Sequence, residues 1–160
     1  MSAVLAFELA NRSYFSATIS DRGDEFFEDF ASAYAELLAE QDTGQSAYFV
    51  LVAEDGAILG RFNLRDIANG SAVLGYRVAE NVAGHGVATT TVDQLCREAA
   101  TTFGLRTIRA ATSDANIGSQ RVLLKAGFVL IGPADPADLG GKPGSWYERQ
   151  IVPPPSPQGR

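Results

Sequence analysis

The chain has 160 residues, a formal net charge of -6, one cysteine and one histidine. That length fits a single domain with a sizeable core. The surplus of acid argues against a nucleic-acid duplex as partner, because phosphate binding needs clustered Lys and Arg, and it is compatible with an amine-bearing partner. A lone Cys96 excludes an intrachain disulfide, and with only His85 beside it a Cys/His metal site has too few ligands. The opening MSAVLAFELANRSYF has neither a basic start nor a long apolar run. A signal peptide and a membrane span are not expected, and the cytoplasm is the simplest location.

Taken in chain order, Ala3 to Ala10 predicts a short amphipathic helix and Asn11 to Gly23 a polar, turn-rich stretch. Phe26, Phe30, Ala33, Tyr34, Leu37 and Leu38 recur at spacings of three and four, predicting one helix over Asp24 to Gln41. Acids crowd its first turns, where the helix dipole favours negative charge; they could draw a cationic substrate, but a solvated face explains them more simply. AYFVLVA from Ala47, AILGRFNLRDI and AVLGYRV read as three strands joined by turns at Glu54–Gly56 and Asn69–Ser71, an antiparallel meander. A helix follows from about Val87 to Phe103, with Val92, Leu95, Cys96, Ala99 and Phe103 inward and Gly104 closing it. RTIRAAT is a strand, SDAN supplies capping residues, and Ile117 to Ala126 is a helix closed by Gly127. FVLIG and WYERQIV are the last strands, separated by the Pro/Gly loop PADPADLGGKPGS, a candidate lid. Residues 1–152 are expected to form one domain and 153–160 a disordered tail. Strands linked through helices are normally parallel neighbours, so the expected fold is α/β (α+β), a mixed sheet with helices on both faces.

NVAGHGVATT, Asn81 to Thr90, lies between the third strand and the long helix. The first amides of a helix lack internal partners and carry partial positive charge, and Gly84 and Gly86 leave them uncovered, which suits a phosphate. A nucleotide-triphosphate loop needs Gly-Lys-Ser/Thr, but Gly86 is followed by Val87 and Ala88. The dinucleotide fingerprint needs a third glycine where Thr89 stands. The remaining pattern, Gly-x-Gly-x-Ala after an antiparallel strand, is that of an acyl-coenzyme A loop, and Gly84-His85-Gly86-Val87-Ala88 fits it.

AVLGYRVAENVAGHGVATTTVDQLC followed by SDANIGSQRVLLKAGFVLIG resembles the GNAT N-acyltransferase superfamily, closest to its RimJ/RimL-like branch of ribosomal-protein N-terminal acetyltransferases. The resemblance spans roughly Ala47 to Val152. It implies a GNAT-like, mostly antiparallel twisted sheet that splays where the glycine-loop strand and the next strand part. It implies acetyl-CoA as cofactor: the pantetheine arm along Tyr76, Arg77 and Val78, the pyrophosphate on Ala83, Gly84, His85, Gly86, Val87 and Ala88. Asn116 matches an asparagine that hydrogen-bonds the pantetheine. Ser119 matches a serine proposed to protonate the leaving thiolate, the expected catalytic residue and a cofactor contact. Asn63 matches a polar position facing the acceptor. Helix capping competes for Asn116 and Ser119, and an exposed loop role for His85.

Two departures accompany the resemblance. RimL-like proteins often carry a glutamate where this chain has Val73. The family usually opens with a strand before the first helix, so either an edge strand is missing or the start is truncated, and a loop or a homodimer contact is expected as cover for that edge. Acyl transfer needs a neutral amine. At pH 7 roughly a tenth of α-amines (pKa about 7.7–8.0) are neutral, against about one lysine in a thousand or fewer. Without a strong base, the expected acceptor is a protein N-terminal α-amine or a small-molecule amine, acetylated by direct attack. The alternative is a catalytically weak acyl-CoA-binding module acting as a sensor or partner. Cys96, on the apolar stripe, is expected in the core; Trp146 and Tyr147 are expected either in sheet packing or along the acceptor pocket.

Overall fold

A computed structural model of the protein describes residues 1–151; the predicted tail, 153–160, lies outside them. In chain order the elements are α1 (Ser2–Ala10), α2 (Arg12–Ser16), α3 (Asp24–Glu28), α4 (Phe30–Asp42), β1 (Ala47–Val52), β2 (Ile58–Ala68), β3 (Ser71–Val78), α5 (Val87–Thr102), β4 (Thr107–Ser113), α6 (Ile117–Lys125), β5 (Val129–Ala134) and β6 (Gly144–Gln150). The strands form one mixed sheet in the order β1-β2-β3-β4-β6-β5, with only β3 and β4 parallel.

The meander is as its turns require. Ala68 pairs with Ser71 across Asn69-Gly70, and these two residues hold φ of 53° and 76°. Both central residues of a tight hairpin turn must adopt positive φ, which Asn-Gly does at least cost. Alternation then sorts β2 and β3 into two faces. Phe62, Leu64, Ala72 and Leu74 are buried against Val92, Leu95, Cys96 and Ala99 of α5. Arg61, Asn63 and Arg65 of β2 and Val73, Gly75 and Arg77 of β3 stand on the opposite face, where Glu8 of α1 meets Arg61 and Arg77.

Several expectations change. The helix predicted over Asp24 to Gln41 breaks at Asp29, whose φ and ψ are -118° and 45°. The break separates two aromatic turns: Phe26 packs edge-on to Phe30, while the guanidiniums of Arg22 and Arg12 cover Phe26 and Phe27 at 4.8 and 4.2 Å. The stretch predicted as turns contains α2. Phe103 is exposed because it is the C-cap of α5, where the chain leaves the helix; Ala100 and Leu105 fill the core instead. Finally β5 is not beside β4: β6 returns through the Pro/Gly loop and inserts between them, antiparallel to both. β1 forms one sheet edge, and the Tyr48 amide there donates to Gln41 Oε1 at 2.8 Å. Trp146 and Tyr147 lie in β6 opposite Ala111 and Ala110, and Tyr147 packs in the core.

Candidate active site

β3 and β4 pair through only three positions, Ser71 with Thr107 to Val73 with Arg109, and then part. Beyond that point β3 stays bonded to β2, with Tyr76 opposite Phe62, Arg77 opposite Arg61 and Val78 opposite Gly60. One backbone edge of Leu74 to Val78 therefore faces a gap. The gap opens into a cleft of about 650 Å³ that runs through the sheet, from Asn116 and Ser119 on one side to Arg22 and Arg61 on the other.

The glycine loop stands at the end of β3. Gly84 and Gly86 hold φ of 79° and 78°, and a Cβ at either would meet nothing within 4 Å. Gly86 is the N-cap of α5, and no side chain caps that 16-residue helix. Left-handed backbone selects glycine, and a glycine N-cap leaves the first amides bare. Ala83, Val87 and Ala88 are half-buried around them, and His85 is exposed. Open space over unpartnered amides at the dipole's positive end fits a diphosphate, and the unpaired edge of β3 fits an extended amide-bearing arm.

On the α6 wall, Asn116 is the N-cap: its Oδ1 accepts from the Ser119 amide at 3.2 Å. The capping role is thus real, and it leaves the asparagine's NH₂ as the end that a ligand can meet. The Ser119 hydroxyl lies 2.9 Å from the Tyr76 hydroxyl, which also donates to the Ser119 carbonyl at 3.4 Å. Burial pushes the Tyr76 phenol up to about 12, so it stays protonated. The sequence singled out the backbone of Tyr76 and missed this side chain. The signal was available in strand alternation, which puts Tyr76 on the Phe62 face, its ring stacked on Phe62 at 5.8 Å.

Asn63 lies directly across from Gly75. A Cβ on residue 75 would meet Asn63 Oδ1 at 2.8 Å, so the glycine makes room for the amide. Oδ1 is buried with no hydrogen-bond partner among the described residues, an acceptor held ready at the cleft. Arg77 divides its roles: its backbone lies on the open strand, while its guanidinium meets Glu8 at 3.4 Å. Val73 contributes no carboxylate, and Asp138 is the one acid among the described lining residues. Asp138, Leu139 and Gly140 bring the Pro/Gly loop to the cleft rim, where Gly140 accepts from Ser20 Oγ at 3.2 Å. Cys96 is buried among core side chains and burial pushes its thiol up to about 11, which suits packing and not nucleophilic attack. The acids of α3 do not reach the cleft; Asp24 pairs with Arg12 at 2.8 Å. No helix among the described residues is long and apolar enough to cross a membrane.

Residues 7–129 match the acetyltransferase (GNAT) domain family. No curated protein matches the sequence significantly. Among solved structures, the ribosomal-protein-S5-alanine acetyltransferase of Vibrio fischeri is similar with a TM-score of 0.83 at 21% identity, over 93% of this chain and 86% of that one. Mycobacterium smegmatis RimJ, in complex with CoA-disulfide, has a TM-score of 0.83 at 23% identity, over 97% and 79%. The microcin C7 self-immunity acetyltransferase MccE, in complex with acetyl-CoA and AMP, has a TM-score of 0.81 at 19% identity, over 94% and 86%. At these identities the likeness is one of fold, and the family match reaches across the glycine loop, Asn116 and Ser119. The chain belongs to the GNAT acetyltransferase family and is an acetyl-CoA-dependent N-acetyltransferase.

Proposed function

We propose that the amine acceptor is a weakly basic primary amine, a protein N-terminal α-amine or a small molecule, acetylated by direct attack in the gap between β3 and β4. The observation that carries this reading is the lining of the cleft. Among the described residues it holds no histidine and one acid, Asp138, which is exposed on the rim. An amine that is already partly neutral near pH 7 needs no strong base there.

Bound acetyl-CoA would supply the thioester: the new C–N bond forms as the C–S bond breaks, and the proton shed by the amine nitrogen would pass through water to the departing thiolate or to solvent. The amides of Gly84 to Ala88 would hold its diphosphate, and the free edge of Tyr76 to Val78 would pair with the pantetheine arm, joined by the Asn116 NH₂. A backbone amide near Val78 would polarise the carbonyl. Ser119 would donate a hydrogen bond to the sulfur. Its hydroxyl meets Tyr76 and not a base, so it is suited to donation and not to attack. Tyr76, kept protonated, would swing its single proton from the Ser119 carbonyl to Ser119 Oγ and leave the serine's own proton to point outward; it is a positioning residue. Asn63 Oδ1 would accept a hydrogen bond from the amine and aim its lone pair.

A cytoplasmic location and a homodimer complete the proposal. The exposed side chains of β5, Val129, Leu130 and Ile131, are the surface we assign to the dimer contact. No observation favours an acyl-CoA-binding module without turnover. The test is thiol release from acetyl-CoA with a panel of peptides bearing free N-termini, small α-amines and Nε-lysines. Release with weakly basic amines and little with lysine side chains is expected. Lysine preferred at pH 7 would contradict the reading.

A further inference from the structure

The acceptor side of the cleft carries charge that the family match does not explain. Arg22, Arg61, Arg65 and Arg77 all line it. Three of them converge on one carboxylate: Glu8 meets Arg61 at 2.7 Å, Arg77 at 3.4 Å and Arg22 at 3.7 Å. Glu8 is 1% exposed, whereas Arg61, Arg77 and Arg22 are 14%, 15% and 33% exposed. One arginine suffices to neutralise a buried carboxylate and fasten α1 to the sheet. Three leave a surplus of two positive charges, before Arg65 is added. The other acids nearby cancel them only in part: Asp21 and Asp24 share the single Arg12, which leaves one negative charge over, and Asp138 stands exposed on the rim. Burial, then Arg77, Arg61 and Arg65, pull the Arg22 guanidinium down to about 10 against the pull of Glu8, a sign of cations crowded without enough anions.

Resting on the acceptor reading above, we propose that Arg22, Arg61 and Arg77 form an anion subsite, so that the preferred acceptor is an amine bearing a carboxylate or phosphate. Arg61 stands two positions from Asn63 on the same strand face, about 7 Å away at the strand rise. An amine held at Asn63 and an anion at Arg61 thus belong to one short molecule or one peptide terminus. Guanidinium forks suit either oxyanion, and the surplus charge repels polycationic amines.

Two measurements test the proposal. In the first, glycylglycine and its carboxamide, whose amines have similar basicity, compete for acetylation. The carboxylate form should win by about tenfold or more in kcat/KM. Arg22→Gln should shrink that preference towards unity, and Arg22→Lys should restore part of it, with acetyl-CoA affinity unchanged throughout. Arg22 is the least buried of the three, so its loss threatens folding least. Equal use of both acceptors, or a preference untouched by Arg22→Gln, would overturn the subsite while leaving the acetyltransferase reading intact. In the second, which needs no turnover, glutarate and inorganic phosphate are titrated against wild type and Arg22→Gln by thermal shift. A rise in Tm for wild type that weakens in the variant is expected with at least one anion, and the larger shift identifies the oxyanion class. No shift with either anion would overturn the proposal. Failure of all acetylation together with a glutarate shift would instead count against the acceptor chemistry.

Discussion

The two walls of the cleft are built by different means. The side proposed for the cofactor is main chain: the glycine loop beyond the end of β3, an unpaired strand edge, and the turn capped by Asn116. The side proposed for the acceptor is side chain: Asn63, Arg22, Arg61 and Arg77, brought together from β2, β3 and the loop after α2. Main-chain recognition leaves a local mark in sequence, because glycine adopts the φ near 78° at Gly84 and Gly86 at least cost. Side-chain recognition is assembled across long sequence distances, such as the 69 positions between Glu8 and Arg77, and leaves no local pattern.

The contrast makes a ranked set of expectations. Gly86→Val strains the backbone and covers the amides. Losing two bonds to a charged diphosphate is worth about 4 kcal/mol, a fall in acetyl-CoA affinity on the order of 1,000-fold. Isothermal titration would measure it, with circular dichroism to confirm the fold; unchanged affinity would break the main-chain account of that wall. Ser119→Ala should lower kcat by about 100-fold, comparable to removal of one oxyanion donor, and leave the acetyl-CoA Kd within about twofold. Lost affinity instead would make the serine a binding residue.

On the acceptor wall the effects should be smaller and confined to the amine. Asn63→Ala, which removes the orphaned acceptor, should raise the amine KM about tenfold, and Gly75→Ala, which pushes a Cβ onto Asn63 Oδ1, should do the same. A rise in acetyl-CoA KM from either variant would blur the division between the walls. Tyr76→Phe, acting through Ser119, should lower kcat by a few-fold to about tenfold with both KM values held, as expected for one indirect hydrogen bond.

The pH profile sharpens the same division. Tyr76 sits near 12 and Arg22 near 10, so both stay protonated through pH 6–9. Because attack needs the neutral amine, kcat/KM should rise about tenfold per unit below the acceptor pKa, near 8 for an α-amine, and then level. A limb that tracks the same pH for acceptors of different basicity would reveal a base on the enzyme.

Much of the fold was legible for the reasons that made the glycine loop legible. Alternation in AILGRFNLRDI and AVLGYRV, and the Asn-Gly between them, specify a hairpin locally. The long helix after the loop was equally plain, apart from Phe103, whose spacing fits the stripe but whose position at the cap turns it outward. Two features lay beyond local reading. Asp29 breaks a helix that periodicity continues, and the aromatic spacing carries across the break without a sign of it. The insertion of β6 between β4 and β5 is a choice of pairing partner, which no strand's own pattern encodes. In the site, Asn116 and Ser119 were singled out by the resemblance of SDANIGSQRVLLKAGFVLIG to the family, with helix capping as the competing role, whereas Tyr76 and the arginines required knowing which strand face turns where.

The central claim is that unpartnered amides at the start of α5 grip the cofactor's diphosphate. Amide hydrogen exchange with and without acetyl-CoA tests it most directly. Slowed exchange at Gly84 to Ala88, together with Tyr76 to Val78, is the predicted result; unchanged exchange there, with protection appearing elsewhere, would contradict it.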